Sequence, residues 1–320
     1  MIFLSASEIN KAVSRAEVNL AMEEAMLVFE KGDFIMPDRM HIHRGMDTFL
    51  LMPCMGKSVI ATKLVSIFPG NRSMGLPSLT GLIILNSATT GEPIALMNGA
   101  EVTALRTGAV GSVGVKYLAL PETDSIGLIG TGVQGRSLIF SSLAQREFRR
   151  VTLFDSDPAK ASALCEELRI THKQLSCKVV TTPEECVVGS GVVITATTAP
   201  SPVLPDDPEL LKGKCFVGVG AFRPDMREFP DSLLELADQI YVDTPFAAEE
   251  CGDLIDPIKK GIIKKEHIFT LGKLVDKSVS LTVSKTRVYK TTGMALFDLT
   301  AAELVFNNAT QAGMGVTLTL

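Results

Sequence analysis

From residue 130 the chain reads Gly130-Thr131-Gly132-Val133-Gln134-Gly135, a GxGxxG spacing. Alone, such a pattern says little. Here it follows an apolar run, Ile126-Gly127-Leu128-Ile129, and precedes a helical pattern, which is the setting a phosphate-binding turn needs. Gly130 permits the tight turn, Gly132 lets a pyrophosphate approach the backbone, and Gly135 lets the helix pack on the strand. Thr131, Val133 and Gln134 complete the loop. The helix N-terminus then offers unpaired N–H groups and a favourable dipole to the anion. A second apolar run, Val151-Thr152-Leu153-Phe154, ends in Asp155, 20 residues beyond Gly135. A carboxylate there accepts from the ribose 2′-hydroxyl of NAD and repels the 2′-phosphate of NADP. Ser156-Asp157-Pro158 follow, with no Lys or Arg to bind that phosphate. These residues point to NAD(H), with NADP(H) disfavoured. The competing reading is that Asp155 or Asp157 only caps the next helix.

Such a turn needs a parallel sheet behind it. From Asp124 the pattern alternates. Strands are expected at Ser125–Ile129, Val151–Phe154, Lys178–Val180, Val192–Thr195, Cys215–Val219 and Gln239–Val242. Helices are expected at Arg136–Ala144 and Pro158–Leu168, with a short one capped by Thr182 and Glu185. Alternation of this kind builds a doubly wound α/β fold. The first part of the chain differs. Ser5 with Glu8, and Ser14 with Glu17, fit capping boxes. After the second, Val18, Ala21, Met22, Ala25, Met26 and Phe29 recur at helical spacing, and Gly32 fits the stop. Strand-like runs follow at Met40–His43, Phe49–Met52, Val59–Phe68, Gly81–Leu85 and Pro93–Met97, then a helix over Ala100–Ala119. A helix followed by strands without alternation predicts an α+β domain with an antiparallel or mixed sheet. Near the end, Val288-Tyr289 leads into a helix from Met294 to Phe306.

The 320 residues suit two domains, and 46 % hydrophobic content allows a sizeable core. A net charge of −5, with no concentration of Lys and Arg, argues against nucleic acid and anionic membrane surfaces as partners. No apolar run approaches the roughly 18 residues of a membrane span. Met1-Ile2-Phe3-Leu4 is apolar but lacks a basic start, and polar residues follow at once, so a cytoplasmic protein is expected. The six cysteines form no CxxC pair and read as reduced, mostly buried thiols. The four histidines are too scattered for a metal site.

Several stretches together resemble the ornithine cyclodeaminase and mu-crystallin family over the whole length. They are Ala61-Thr62-Lys63-Leu64-Val65, Gly91-Glu92-Pro93-Ile94-Ala95-Leu96-Met97-Asn98-Gly99, Thr103-Ala104-Leu105-Arg106-Thr107-Gly108-Ala109, Gly218-Val219-Gly220-Ala221-Phe222-Arg223-Pro224-Asp225 and Thr292-Gly293-Met294-Ala295. Leu-Arg-Thr before small residues, some two dozen residues ahead of the glycine loop, is the most specific of them. The resemblance implies a Rossmann-type doubly wound NAD-binding domain, residues 121–292, inserted in an α+β substrate and dimerisation domain of residues 1–120 and 293–320. It also implies a homodimer. In such enzymes two Arg and a Lys hold the substrate carboxylate, and the matching positions are Arg39, Lys63 and Arg106. Their chemistry suits the task, because charge-assisted bonds hold a carboxylate and Arg offers two parallel donors. Lys63 lies in the apolar run Val59–Val65, so an ordinary core reading would have to explain a buried ammonium. Arg39 otherwise reads as a turn residue and Arg106 as a solvated helix face. His41, His43 and Arg44 read as the outer face of a strand. Thr80 resembles a residue near nicotinamide and substrate, and Gly293 one close to the nicotinamide. Thr195 and Thr197 end a sheet strand, where ligands of open α/β sheets bind.

One position departs from the family pattern. Ornithine cyclodeaminases carry a catalytic Asp in the segment matching Gly220–Arg223, and its place here is held by Phe222. Imine reductases resembling mu-crystallin also lack that acid. Asp225 could substitute, but after Pro224 it reads as a turn residue. Loss of ammonia with ring closure needs proton transfers to and from nitrogen, hence a positioned base. Reduction of a protonated imine needs mainly a held carboxylate and an aligned nicotinamide. The expectation is therefore an NADH-dependent reductase of α-imino acids, cyclic ketimines such as pyrroline-2-carboxylate or open-chain imines. Run backwards it is an amino-acid dehydrogenase. Lys63 would be the catalytic residue, with Arg39, Lys63, Arg106, Thr80 and Phe222 lining the substrate. The alternatives are an ornithine cyclodeaminase and a non-catalytic ligand-binding protein.

Overall fold

The capping boxes set the start of the chain. In the computed structural model, Ser5 Oγ accepts the Glu8 N–H while Glu8 accepts the Ser5 N–H at 2.8 Å, opening α1 (Ala6–Ala12). Ser14 and Glu17 do the same for α2 (Arg15–Lys31), which stops at Gly32 in the left-handed region. Residues 1–282 and 286–319 are described. They pack as two compact units, Met1–Arg106 with Met294–Leu320, and Thr107–Gly293.

The first unit holds β1 (Ile2–Leu4), β2 (Met40–Arg44), β3 (Asp47–Met55), β4 (Val59–Ile67), β5 (Leu79–Ser87) and β6 (Pro93–Asn98), with a two-residue strand at Val316–Thr317. The sheet order is C-terminal strand–β1–β6–β5–β4–β3–β2, mixed because β1 runs parallel to β6. β1 and its C-terminal partner are too short to show a period and were not expected from the sequence. Alternation sends Val59, Ala61, Lys63 and Val65 of β4 to the buried face, with Leu50, Met52 and Cys54 of β3 and Ile83 and Leu85 of β5. The C-terminal helix, Ala295–Gln311, covers that face with Ala295, Leu296, Leu299, Ala302 and Val305. Lys63 and, on the helix, Asp298 are the charged members of this apolar seam.

The second unit is a parallel eight-stranded sheet. Its strands are β7 (Ser125–Ile129), β8 (Arg150–Phe154), β9 (Ser176–Val179), β10 (Val192–Thr195), β11 (Cys215–Gly218), β12 (Ile240–Val242), β13 (Ile268–Thr270) and β14 (Arg287–Lys290). Their order, β13-β12-β14-β11-β10-β7-β8-β9, is doubly wound, and its direction of growth reverses between β7 and β10. Strands of a covered parallel sheet are buried on both faces, and β7, β10 and β11 are buried throughout. β14 sits between β11 and β12. Its charged ends hide it in the sequence, where only Val288-Tyr289 reads as apolar. Among the described residues no helix is long and apolar enough to cross a membrane.

The division between the units falls inside α3 (Gly99–Leu118), not after it at residue 120 as the change of pattern suggests. The reason is a stripe of glycines at three-residue spacing, Gly108, Gly111 and Gly114, packed on Ser137, Leu138 and Tyr289 of the second unit. A Cβ on Gly108 would come 2.5 Å from Ser137 Oγ and 2.6 Å from its carbonyl oxygen. Gly108→Ala is expected to lower stability by about 1–3 kcal/mol, the usual cost of overpacking a filled contact. Denaturant unfolding followed by circular dichroism measures this, and an unchanged midpoint would show that α3 can move aside.

Candidate active site

The phosphate turn has the geometry its glycines predict. Gly130 follows β7 with φ +95°, and a Cβ there would lie 2.6 Å from the Ala196 carbonyl oxygen. A Cβ on Gly135 would collide with the Gly130 carbonyl. Gly132 is different: nothing lies within 4 Å of its Cβ position. It caps α4 (Val133–Gln145) without any side-chain bond to the first-turn N–H groups. An open cradle at an uncapped helix N-terminus fits a pyrophosphate. Val133 is exposed in the first turn, and the Gln134 side-chain oxygen is buried with no partner.

Asp155 lies just beyond β8, half-buried. It accepts from the Thr131 N–H at 2.7 Å, the Thr131 hydroxyl at 2.9 Å and the Asp157 N–H at 2.9 Å. Burial would raise its pKa, but these donors prevail and hold the carboxyl below its ordinary range. Asp155 therefore fixes the glycine loop as well as standing where a ribose would be read. The cap of the next helix, α5 (Pro158–Thr171), is Asp157.

Further along the same sheet edge, Thr195 ends β10 fully buried, its hydroxyl without a partner. Thr197 gives its N–H and hydroxyl to Glu228, at 2.7 and 2.9 Å. Gly293 has φ +79° and gives its N–H to Asp243 at 2.6 Å. Asp243 also accepts from the Thr291 hydroxyl and the Thr292 and Thr244 N–H groups. The Thr292 hydroxyl is a second buried group without a partner at this edge. Phe222 is half-buried, with the Arg223 guanidinium 6.0 Å from its ring centre. Asp225 is exposed and paired with Arg223 at 3.0 Å.

In the first unit Lys63 and Arg106 come together. Lys63 Nζ is 2.6 Å from Asp298 Oδ2, and Arg106 Nε is 3.0 Å from Asp298 Oδ1. All three are buried. Arg106 is thus no solvated helix face. Burial pulls the Lys63 ammonium down to about 8; Asp298 opposes this, while Arg106 and, more weakly, Arg39 add to it. Burial would raise Asp298, but Arg106 and Lys63 prevail and hold it below the ordinary carboxylate range. The neighbouring Cys54 thiol is pushed up to about 12 by burial and by the Asp298 charge. Arg39 is half-buried just before β2, close enough for its charge to act on Lys63. Thr80 stands apart. It is exposed on β5 opposite Ser66, and alternation from the buried Ile83 puts it on the sheet face away from Lys63.

Sequence reading missed Asp298, Glu228 and Asp243. The one signal for Asp298 is an acid inside the apolar helical stretch Ala295-Leu296-Phe297-Asp298-Leu299.

The ornithine cyclodeaminase/mu-crystallin family model matches residues 1–313. This chain belongs to that family. A Bacillus cereus Δ1-pyrroline-2-carboxylate reductase is 30 % identical over 323 residues, spanning 98 % of each chain. The solved structure of Thermococcus litoralis Δ1-pyrroline-2-carboxylate reductase, in complex with NADH and L-proline, superposes with a TM-score of 0.92 at 31 % identity, covering 99 % of this chain and 100 % of that one. An archaeal alanine dehydrogenase dimer with bound NAD also gives 0.92, at 27 % identity, covering 100 % and 99 %. The Rossmann-type sheet and α+β unit expected of the family are those observed.

Asp298→Asn would leave Lys63 and Arg106 buried without their counter-ion. The expected loss is about 3–5 kcal/mol, as when one partner of a buried pair is removed. Urea unfolding at neutral pH measures it. A loss no larger than that of an exposed control, Asp225→Asn, would mean that water already screens the pair.

Proposed function

We propose that this family member is an NADH-dependent reductase of α-imino acids, acting on cyclic ketimines of the pyrroline-2-carboxylate type or open-chain imines, and in reverse an amino-acid dehydrogenase. The observation that carries the reading is a charge imbalance. Lys63 and Arg106 bring two positive charges to one carboxylate, and the charge of Arg39 reaches Lys63. Asp298 takes only the Nε edge of Arg106, so the terminal nitrogens keep their fork for a substrate carboxylate. The activities of the Bacillus and Thermococcus relatives support the same class.

Bound NADH would supply the hydride. The loop Gly130–Gly135 and Asp155 would hold its adenylate and pyrophosphate, and Thr195, Thr197 and Gly293 would line its other end. The residues of the chain then have two tasks. Arg39, Lys63 and Arg106 fix the carboxylate and so orient the imine carbon. Lys63 Nζ carries the proton that keeps the imine nitrogen charged, so that carbon accepts the hydride and nitrogen ends as an amine. Phe222 supplies bulk where a cyclodeaminase would need a base. Thr80 belongs to this reading only through family position.

A homodimer in the cytoplasm completes the proposal. Met40, Ile42, Phe49 and Leu82 are exposed on the face of the first sheet turned away from Lys63, an apolar stripe suited to a second copy. The archaeal alanine dehydrogenase relative is a dimer. The six cysteines are free and buried, as suits a reducing compartment.

Absorbance at the NADH band, followed with a panel of cyclic and acyclic imino acids, tests the reaction. Turnover with NADH preferred over NADPH is expected. Changing Arg39, Lys63 and Arg106 together to Ala should abolish it, and retained activity would remove the carboxylate role. A panel inert throughout, with ammonia released from ornithine, would make cyclodeaminase the assignment.

The pH profile tests Lys63. The group donates only while protonated, so imine reduction should fall as pH rises through about 8. Lys63→Arg, whose guanidinium stays charged, should move that limb upward in whatever activity remains. An unmoved limb would assign the ionisation to another group.

A further inference from the structure

Three charged side chains of the second unit lie buried together, and the proposed reaction leaves them unused. Glu228, Asp253 and Lys290 are fully enclosed. Lys290 Nζ lies 2.8 Å from Asp253 Oδ2 and 3.6 Å from Glu228 Oε2. Burial would strip the ammonium of its proton, but Asp253 and Glu228 prevail and bind that proton more tightly. Asp253 Oδ1 accepts the backbone N–H of Glu228 and of Phe229, at 2.7 and 2.9 Å, which fixes the backbone that carries Glu228.

The two carboxylate oxygens of Glu228 serve different loops. Oε1 accepts from the N–H and hydroxyl of Thr197, in the loop after β10. Oε2 accepts from the N–H groups of Gly220 and Ala221, at 2.8 and 3.2 Å, in the loop after β11. The packing is tight enough that a Cβ at residue 220 would lie 2.5 Å from Glu228 Oε1. Only an ionised carboxylate can accept at both ends. An amide in its place presents donors to one loop or the other.

The position of these loops gives the clamp a meaning. A doubly wound sheet binds a dinucleotide as two mononucleotide halves across its switch point. Here that point lies between β7 and β10. The Gly130 loop and Asp155 belong to the β7–β9 half. The loops after β10 and β11 belong to the other. We infer that Glu228 is a positioning residue for the nicotinamide half of the cofactor. It presets the backbone of both loops before NADH arrives, with Lys290 and Asp253 as its buried support. The inference rests on the cofactor reading above.

Glu228→Gln and Glu228→Asp test it. The first keeps shape and loses the double acceptor. The second keeps the charge facing Lys290 but is too short to reach both loops, and stands in if the first does not fold. NADH binding is read from nucleotide fluorescence. ADP-ribose, which lacks the nicotinamide, is titrated by calorimetry. The expected result is unchanged ADP-ribose affinity with NADH affinity and kcat each reduced at least about tenfold, as small misplacements of a reacting group produce. Folded variants with wild-type NADH affinity and kcat would overturn the inference. So would equal weakening of both ligands, the mark of a general loss of structure. A wild-type protein inert towards every imine overturns the proposed reaction. The binding split is read without turnover and decides Glu228 either way.

Discussion

A charge removed from water must find its partner inside the fold, and in the first unit that partner is Asp298. β4 brings Lys63 to the buried face of the sheet, and α3 ends its stay in this unit with Arg106. Neither cation could be held there alone. The carboxylate that receives both comes from the C-terminal helix, separated from Arg106 by 192 residues. The unit is therefore built from both ends of the chain for an electrostatic reason as well as for packing. Apolar residues such as Leu299 and Val305 could cover the sheet from other registers of the helix. Asp298 admits one register, because a slip would leave three charges buried without partners.

The second unit applies the same rule to backbone rather than to side-chain cations. Loops at the carboxyl edge of a parallel sheet have N–H groups that no strand pairs, and each must be satisfied. Asp155 takes those of Thr131 and Asp157. Glu228 takes those of Thr197, Gly220 and Ala221. Asp243 takes those of Thr244, Thr292 and Gly293. The edge that faces a dinucleotide in such folds is thus set by carboxylates before any ligand is present. Preset loops lose little conformational entropy on binding, which is the physical content of preorganisation.

How much of this could be read from the sequence follows from the range of each interaction. The phosphate turn was legible because its constraint is local: Gly130 must adopt positive φ and Gly135 must touch the Gly130 carbonyl, and both demands fall within six residues. The alternating strands were legible for the same reason. β14 was not, because its four residues end in charges whose partners lie elsewhere: Lys290 pairs with Asp253 and Glu228. Lys63 drew notice as an ammonium in an apolar strand, but nothing near it in the sequence names Asp298. The glycine stripe of α3 drew no notice in a stretch that read simply as helix. Only the packed helix shows that it moves the boundary between the units to Arg106–Thr107.

The charge balance of the first unit also bears on what it can bind. Lys63, Arg106 and Asp298 together carry one unbalanced positive charge out of water; burial depresses the Lys63 pKa, and the Arg106 charge adds to that. In the proposed function a substrate carboxylate would neutralise that excess, and its binding would relieve a repulsion the free protein sustains. An excess held in this way favours a ligand that brings its own carboxylate over one that does not, and on the proposed reading the imino acid is that ligand. The same three side chains then serve the register of the C-terminal helix and the selection of an anionic ligand.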